Sequence, residues 1–190
     1  MDLSVIAFLL LLASVAALRI AELRISRRHQ RSLLSRGAAK IDEPRFRWMV
    51  ALHTLVLLGA ATEVIFLRRP FIPVLAAVMF TIFLVANAVR WWVIRTLGEH
   101  WNVQVMDSMR LGVVTSGPFR FVRHPNYVAV FAEMLALPLI HTGWITALAG
   151  SVAHIAVLAQ RLSTEERVLF ANPDYRAAMA GKPRFLPGLF

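Results

Sequence analysis

The sequence has no cysteine. That excludes disulfides, thiolate metal sites and a cysteine nucleophile. No pair of histidines has a metal-ligand spacing such as HExxH. A glycine-rich phosphate loop of Walker or dinucleotide type is missing, as is a GxSxG nucleophile turn. No internal repeat or low-complexity segment stands out. Charge is scarce too, at 17% of residues, whereas 58% are hydrophobic and the mean hydropathy is +0.61. A soluble domain of 190 residues cannot bury that much apolar surface, so the composition points to a membrane protein. The formal net charge of +10 does not signal nucleic-acid binding, because the basic residues sit between apolar runs.

Apolar runs of about 20 residues suit helical spans. Candidates cover 2–22, 47–67 and 72–94, followed by 126–160 broken at "HTGW", 141–144. The last stretch reads as two helices in a tight hairpin, which makes five. The first run, "LSVIAFLLLLASVAAL", lacks the basic flank of a signal peptide, since Asp2 is the only charge before Arg19. It reads as a first transmembrane helix. Open sheets are disfavoured because lipid cannot satisfy their backbone groups. The expected fold is an all-α polytopic membrane protein forming one domain over 1–190. Its first 94 residues hold three spans and 95–190 hold the polar segments.

Lysine and arginine set the orientation. Loop 19–47 carries nine, the turn at 68–69 two, interval 90–123 five, the turn at 141–144 none and the C-terminal segment five. This alternation places the N-terminus outside and the C-terminus in the cytoplasm. The loop "RISRRHQRSLLSRGAAK" then serves as a positive-inside signal in contact with anionic headgroups.

Two polar constellations interrupt the apolar text. In "VVTSGPFRFVRHPNY", Gly117-Pro118 marks a turn. Pro125 fits the first position of a helix and pushes His124 out of the helical region. His124 would sit at a helix mouth whose free N–H groups favour an electron-rich ligand. The plainer reading makes Arg120 and Arg123 headgroup anchors and Tyr127 an interfacial aromatic. In "QRLSTEERVLF", Arg161 and Glu165 share a helix face by their i, i+4 spacing, and Glu166 points elsewhere as a solvated neighbour. Of the polar residues inside spans, Glu133 is the strongest functional candidate, because Pro125 starts its helix. Asn87 also lies within a span. Glu63 reads as a surface residue near Arg68 and Arg69, and His53 and His154 as interhelical hydrogen-bonders.

The segments "LGEHWNVQV", "VVTSGPFRFVRHPNY", "RLSTEERVLF" and "DYRAAM" together resemble the isoprenylcysteine carboxyl methyltransferase family of integral membrane enzymes. The likeness spans residues 97 to 187. It implies an O-methyltransferase that uses S-adenosylmethionine, with its cofactor site on the cytoplasmic side. By the resemblance, His124, Pro125, Asn126 and Tyr127 contact the cofactor, and Leu111, Gly112, Val113 and Val114 offer it backbone. Phe119 stands where the family often has tyrosine. Gln104 corresponds to a family glutamine, at a shorter spacing. Arg161 and Glu165 are the catalytic, substrate-side pair. "RIAELRISRRHQRSLLSRGAAK" resembles the start of bacterial members linked to type III polyketide synthases, which methylate long-chain phenols or pyrones. The expected acceptor is a lipophilic small molecule or lipidated carboxylate or phenol reached through the bilayer of a bacterial inner membrane. No nucleic acid, metal or obligatory protein partner is expected. An NADPH-dependent membrane reductase of the sterol-reductase type shares an HPxY-like segment and stays open as an alternative. So does a non-catalytic membrane protein.

Overall fold

The computed structural model describes residues 2–43, 46–108 and 111–186. Arg45, counted above among the basic loop residues, lies outside them, as does Arg110. The described chain is helical: α1 (Leu3–Ser35), α2 (Phe46–Phe66), α3 (Pro73–Leu97), α4 (Pro125–Leu139), α5 (Trp144–Ala171) and α6 (Pro173–Met179). A two-residue antiparallel ladder, β1 (Ala39–Lys40) with β2 (Met106–Asp107), pairs Ala39 with Asp107. It ties the end of α1 to the segment leaving α3.

Four helices, α1, α2, α3 and α5, are long and apolar enough to cross a membrane. No more than 22% of any of their apolar windows is buried within the chain. Leucines and valines such as Leu55, Val74, Val85 and Leu148 face outward, and only lipid can cover them. The chain is an all-α polytopic membrane protein. The fifth apolar helix, α4, has 15 residues and is shorter than a span. It turns through Ile140–Gly143 into α5, where the hairpin is expected. The core joins Phe8, Leu12 and Val15 of α1 to Ala60 and Val64 of α2, Phe83 of α3 and Leu137 of α4. Gly150 lets α2 and α5 approach closely, since a Cβ there would lie 2.7 Å from Val56 Cγ2.

Two expectations are corrected. The basic stretch expected as a loop over 19–47 is helical to Ser35. Arginine, leucine and glutamine are good helix formers, and nothing there breaks the helix before Gly37, which adopts φ +87°. Glu63 is not a surface residue. It is buried, takes Arg69 at 2.7 Å and caps α5, accepting from Ile145 N (3.1 Å) and Thr146 N (2.7 Å). Those are two of the amides that a helix start leaves unpaired.

Candidate active site

The entrance to α4 is held from three directions. Gly117 adopts φ +57° in the 3-10 turn Gly117–Arg120, and a Cβ there would lie 2.4 Å from Thr96 Oγ1. Only glycine fits that turn. Lys182 Nζ donates to the Phe119 carbonyl at 2.7 Å. The amides of Arg123 and His124 donate to the carbonyls of Pro183 (3.0 Å) and Arg184 (2.9 Å). The C-terminal segment thus clamps "RHP" in place. His124 caps α4 from outside the helical region (φ −128°, ψ 59°), with Pro125 in the first turn, as the sequence predicts.

His124 is buried and stacks on Tyr127 with ring centroids 5.4 Å apart. Its Nε2 lies 3.2 Å from Glu166 Oε1. Burial holds the imidazole below its ordinary pKa, against the opposing pull of Glu165 and Glu166. The ring is therefore neutral at pH 7. A carboxylate only accepts, so Nε2 carries the proton and Nδ1 the lone pair. Glu166 is not the solvated neighbour expected. It also takes Arg184 at 2.8 Å and Arg123 at 3.3 Å, and so ties α5 to the α4 entrance.

Glu165 occupies the other wall. The Tyr127 hydroxyl donates to Glu165 Oε2 and accepts from Arg161 Nε at 3.0 Å. Arg161 and Glu165 are themselves 4.0 Å apart, so the tyrosine is what joins the pair. Arg161 Nη1 reaches Glu43 Oε1 at 3.3 Å. Glu43 also accepts from Val105 N at 2.6 Å and bridges the α1–α2 connection to the segment beyond α3. Glu43 belongs to no motif, and sequence reasoning missed it.

Three cavities meet at Arg161. The largest, about 390 Å³, is mainly apolar and is bordered by α1, α2, α4 and α5, with Asn126, Tyr127, His53 and His154 on its wall. A second, about 210 Å³, opens beside Asp42, Glu43 and Phe46. The third, about 130 Å³, is more polar and lies on Gly112–Val114, with Gln104, Phe119, Glu165 and Tyr175. The structure therefore brings Gln104, Gly112, Val113, Val114, Phe119, Arg161 and Glu165 around one pocket. Leu111, His124 and Pro125 do not line it, and Asn126 and Tyr127 border the large cavity instead. Gln104 also accepts from Gln30 Nε2 at 3.3 Å. Tyr175 was not foreseen. Burial and nearby Glu165 raise its phenol pKa, so it stays protonated beside the polar pocket.

Beneath the large cavity is a buried ion network. Glu22 takes Arg19 (2.7 Å) and Arg90 (2.7 Å), and Arg19 reaches Glu133 (3.2 Å) and Asn87 (3.4 Å). Glu133, singled out in the sequence, thus serves in this network. Among the described residues no cluster of three acidic or histidine side chains could hold a metal ion.

Arg161 thus borders both a polar pocket and an apolar cavity of a helical membrane protein. The isoprenylcysteine carboxyl methyltransferase (ICMT) family model matches residues 75–171. The chain belongs to this family of membrane methyltransferases. It is 27% identical over 167 residues to the uncharacterized protein YpbQ of Bacillus subtilis, covering 85% of this chain and 96% of that one. It is 28% identical over 158 residues to an uncharacterized protein of Haemophilus influenzae, covering 83% and 91%.

Proposed function

We propose that the chain transfers a methyl group from S-adenosylmethionine to an oxygen of a lipophilic acceptor. One observation carries this reading. Arg161 borders both the polar pocket on Gly112–Val114 and the apolar cavity between the helices. A water-soluble donor and a lipid-soluble acceptor can meet only at such a junction.

The residues present fit the donor. Gly112–Val114 run without secondary structure, and Gly112 adopts φ +113° with no atom within 4 Å of where a Cβ would stand. Their backbone groups are open to an adenine or ribose edge. The buried Nε of Arg123, on the lining of the polar pocket, has no partner among the described residues. Such a group suits an anionic end of a ligand. Gln104, Phe119 and Tyr175 would complete its walls. S-adenosylmethionine supplies an electrophilic methyl on a sulfonium, so no metal or covalent enzyme intermediate is needed.

The chain contributes orientation. Arg161, fixed by Tyr127, Glu43 and Glu165, would hold the acceptor oxygen by a charge-assisted hydrogen bond. Alignment of the two reactants supplies several kcal/mol of the acceleration. The acceptor's tail would lie in the large cavity. By the distribution of lysine and arginine, the polar pocket faces the cytoplasm of a bacterial inner membrane.

Isothermal titration of the purified protein with S-adenosylhomocysteine, with NADPH in parallel, tests the reading. Binding of the first alone is the expected result. Binding of NADPH alone moves the protein to the reductases, and binding of neither by folded protein removes the enzymatic reading.

A further inference from the structure

Most polar groups on the wall of the large cavity already have partners. The Tyr127 hydroxyl donates to Glu165 and accepts from Arg161. Thr54 donates to the Val50 carbonyl of its own helix. Arg90 differs. Its Nε and Nη2 donate to the two oxygens of Glu22, at 3.1 and 2.7 Å. Its Nη1 has no hydrogen-bond partner among the described residues and is absent from the polar atoms sealed from solvent. The side chain is only 9% exposed and stands on the cavity wall, so this nitrogen opens into the cavity. A guanidinium nitrogen without an acceptor is costly at membrane depth. Such a donor suits a ligand oxygen.

His53 supplies the complementary group. Its Nδ1 lies 2.8 Å from the Met49 carbonyl, which only accepts, so in the neutral ring Nδ1 carries the proton and Nε2 the lone pair. Nε2 has no partner among the described residues, is likewise absent from the sealed atoms, and belongs to a side chain on the same wall. Of the charged groups around this ring, Arg90 acts on it most strongly. Both groups lie deep. The Met49 sulfur is 3.8 Å from Arg161 Nη1, and His53 is one turn of α2 further on, about 6 Å of rise. His53 meets the His154 ring edge to face at 6.0 Å, and His154 precedes Arg161 by two turns of α5, about 10 Å. Arg90 joins the same level through Glu22 and Arg19, since Arg19 meets Glu133, which is about 9 Å of rise past Tyr127 on α4.

We propose that Arg90 and His53 form a second polar subsite, which binds a neutral hydroxyl on the acceptor's tail, about 6–10 Å from the oxygen that Arg161 holds. This rests on the methyltransferase reading above. A hydroxyl accepts from Arg90 Nη1 and donates to His53 Nε2, whereas a carbonyl or ether oxygen leaves the imidazole lone pair unused. A carboxylate fits less well. Arg19 and Arg90 already face Glu22 and Glu133, and a further anion would be unpaired in an apolar cavity. The subsite selects acceptors by where the tail is oxygenated and leaves the reacting group to Arg161.

The test measures binding of tetradecanoic acid, its 8-hydroxy derivative and its 13-hydroxy derivative to the detergent-purified protein. The carboxylate of each pairs with Arg161, and only the 8-hydroxyl falls within the span to Arg90. The 13-hydroxy acid controls for polarity. Wild-type protein binds the 8-hydroxy acid about tenfold more tightly than the other two. Arg90→Lys keeps a charge opposite Glu22 and removes Nη1, so the preference disappears while affinity for tetradecanoic acid stays within a few-fold. If that variant does not fold, His53→Phe, which keeps a ring against His154, carries the test with the same expected loss. Equal affinities for the three acids in wild-type protein make the subsite a place for water only and overturn the proposal. A preference that survives the substitution overturns it as well. S-adenosylhomocysteine is titrated in parallel. If wild-type protein binds it but shows no preference for the 8-hydroxy acid, the subsite falls while the methyltransferase reading stands. If it binds neither S-adenosylhomocysteine nor the acids, both fall.

Discussion

Glu22→Gln tests whether the buried ion network holds the helices around the large cavity. The Glu22 side chain is 4% exposed and lies 2.7 Å from both Arg90 Nη2 and Arg19 Nη1. The substitution keeps the shape and removes the charge. Arg90, 9% exposed, is then left with no carboxylate in contact, and Arg19 retains only Glu133 at 3.2 Å. Breaking a buried pair by removing one partner costs about 3–5 kcal/mol, because the other charge stays buried. For a chain of this size each kcal/mol moves the melting temperature by about 2–4 °C. The expected loss is therefore roughly 6–20 °C, read from tryptophan fluorescence in detergent. A fixed scan rate is needed, since membrane-protein unfolding is seldom reversible. Replacing both partners, Glu22→Leu with Arg90→Leu, removes the uncompensated charge and recovers most of the loss. A shift under about 2 °C for the single variant, or additive losses in the double variant, refutes the reasoning.

Arg161→Ala lowers methyl transfer by roughly 10²-fold or more while detergent-purified protein keeps its helical circular dichroism; near-normal activity contradicts its role. Glu63→Gln weakens the α5 cap and its pairing with Arg69, costing about 1–2 kcal/mol, seen as a lower melting temperature. His124 has a folded-state pKa below its ordinary value of 6.5, so stability is present above 6.5 and is lost as pH falls through the folded value. Acidification should thus lower the melting temperature of wild-type protein more than that of His124→Gln, and equal slopes reject it. With no native cysteine, single cysteines report topology directly: Ser35→Cys should react with an impermeant maleimide only from the cytoplasmic side and Leu67→Cys only from outside.

The sequence showed what is local and left hidden what depends on packing. Four long apolar runs and the turn at 141–144 were legible because lipid imposes length and composition. So were Pro125 at the start of α4 and His124 outside it, because proline restricts its own residue and the one before. Arg19 and Arg90 looked like ordinary positive-inside charges. Their partner Glu22 lies 68 residues from Arg90 in the chain, and only the packing of α1 on α3 reveals the network. Glu63 was misread for the same reason, since the helix it caps begins some 80 residues later. Helical spacing left open which of Glu165 and Glu166 faces the site. It could not show that Tyr127 bridges Arg161 to Glu165, or that the C-terminal Arg184 returns to Glu166. Glu43 belongs to no motif, and Tyr175, although part of "DYRAAM", is placed beside the pocket only by the packing of α6.

The most direct test of the central claim is an experimental structure with S-adenosylhomocysteine bound. The account predicts the ligand on Gly112–Val114, with its sulfur turned past Tyr127 towards the cavity that Arg161 shares. Ligand bound elsewhere, or with its sulfur walled off from that cavity, contradicts it.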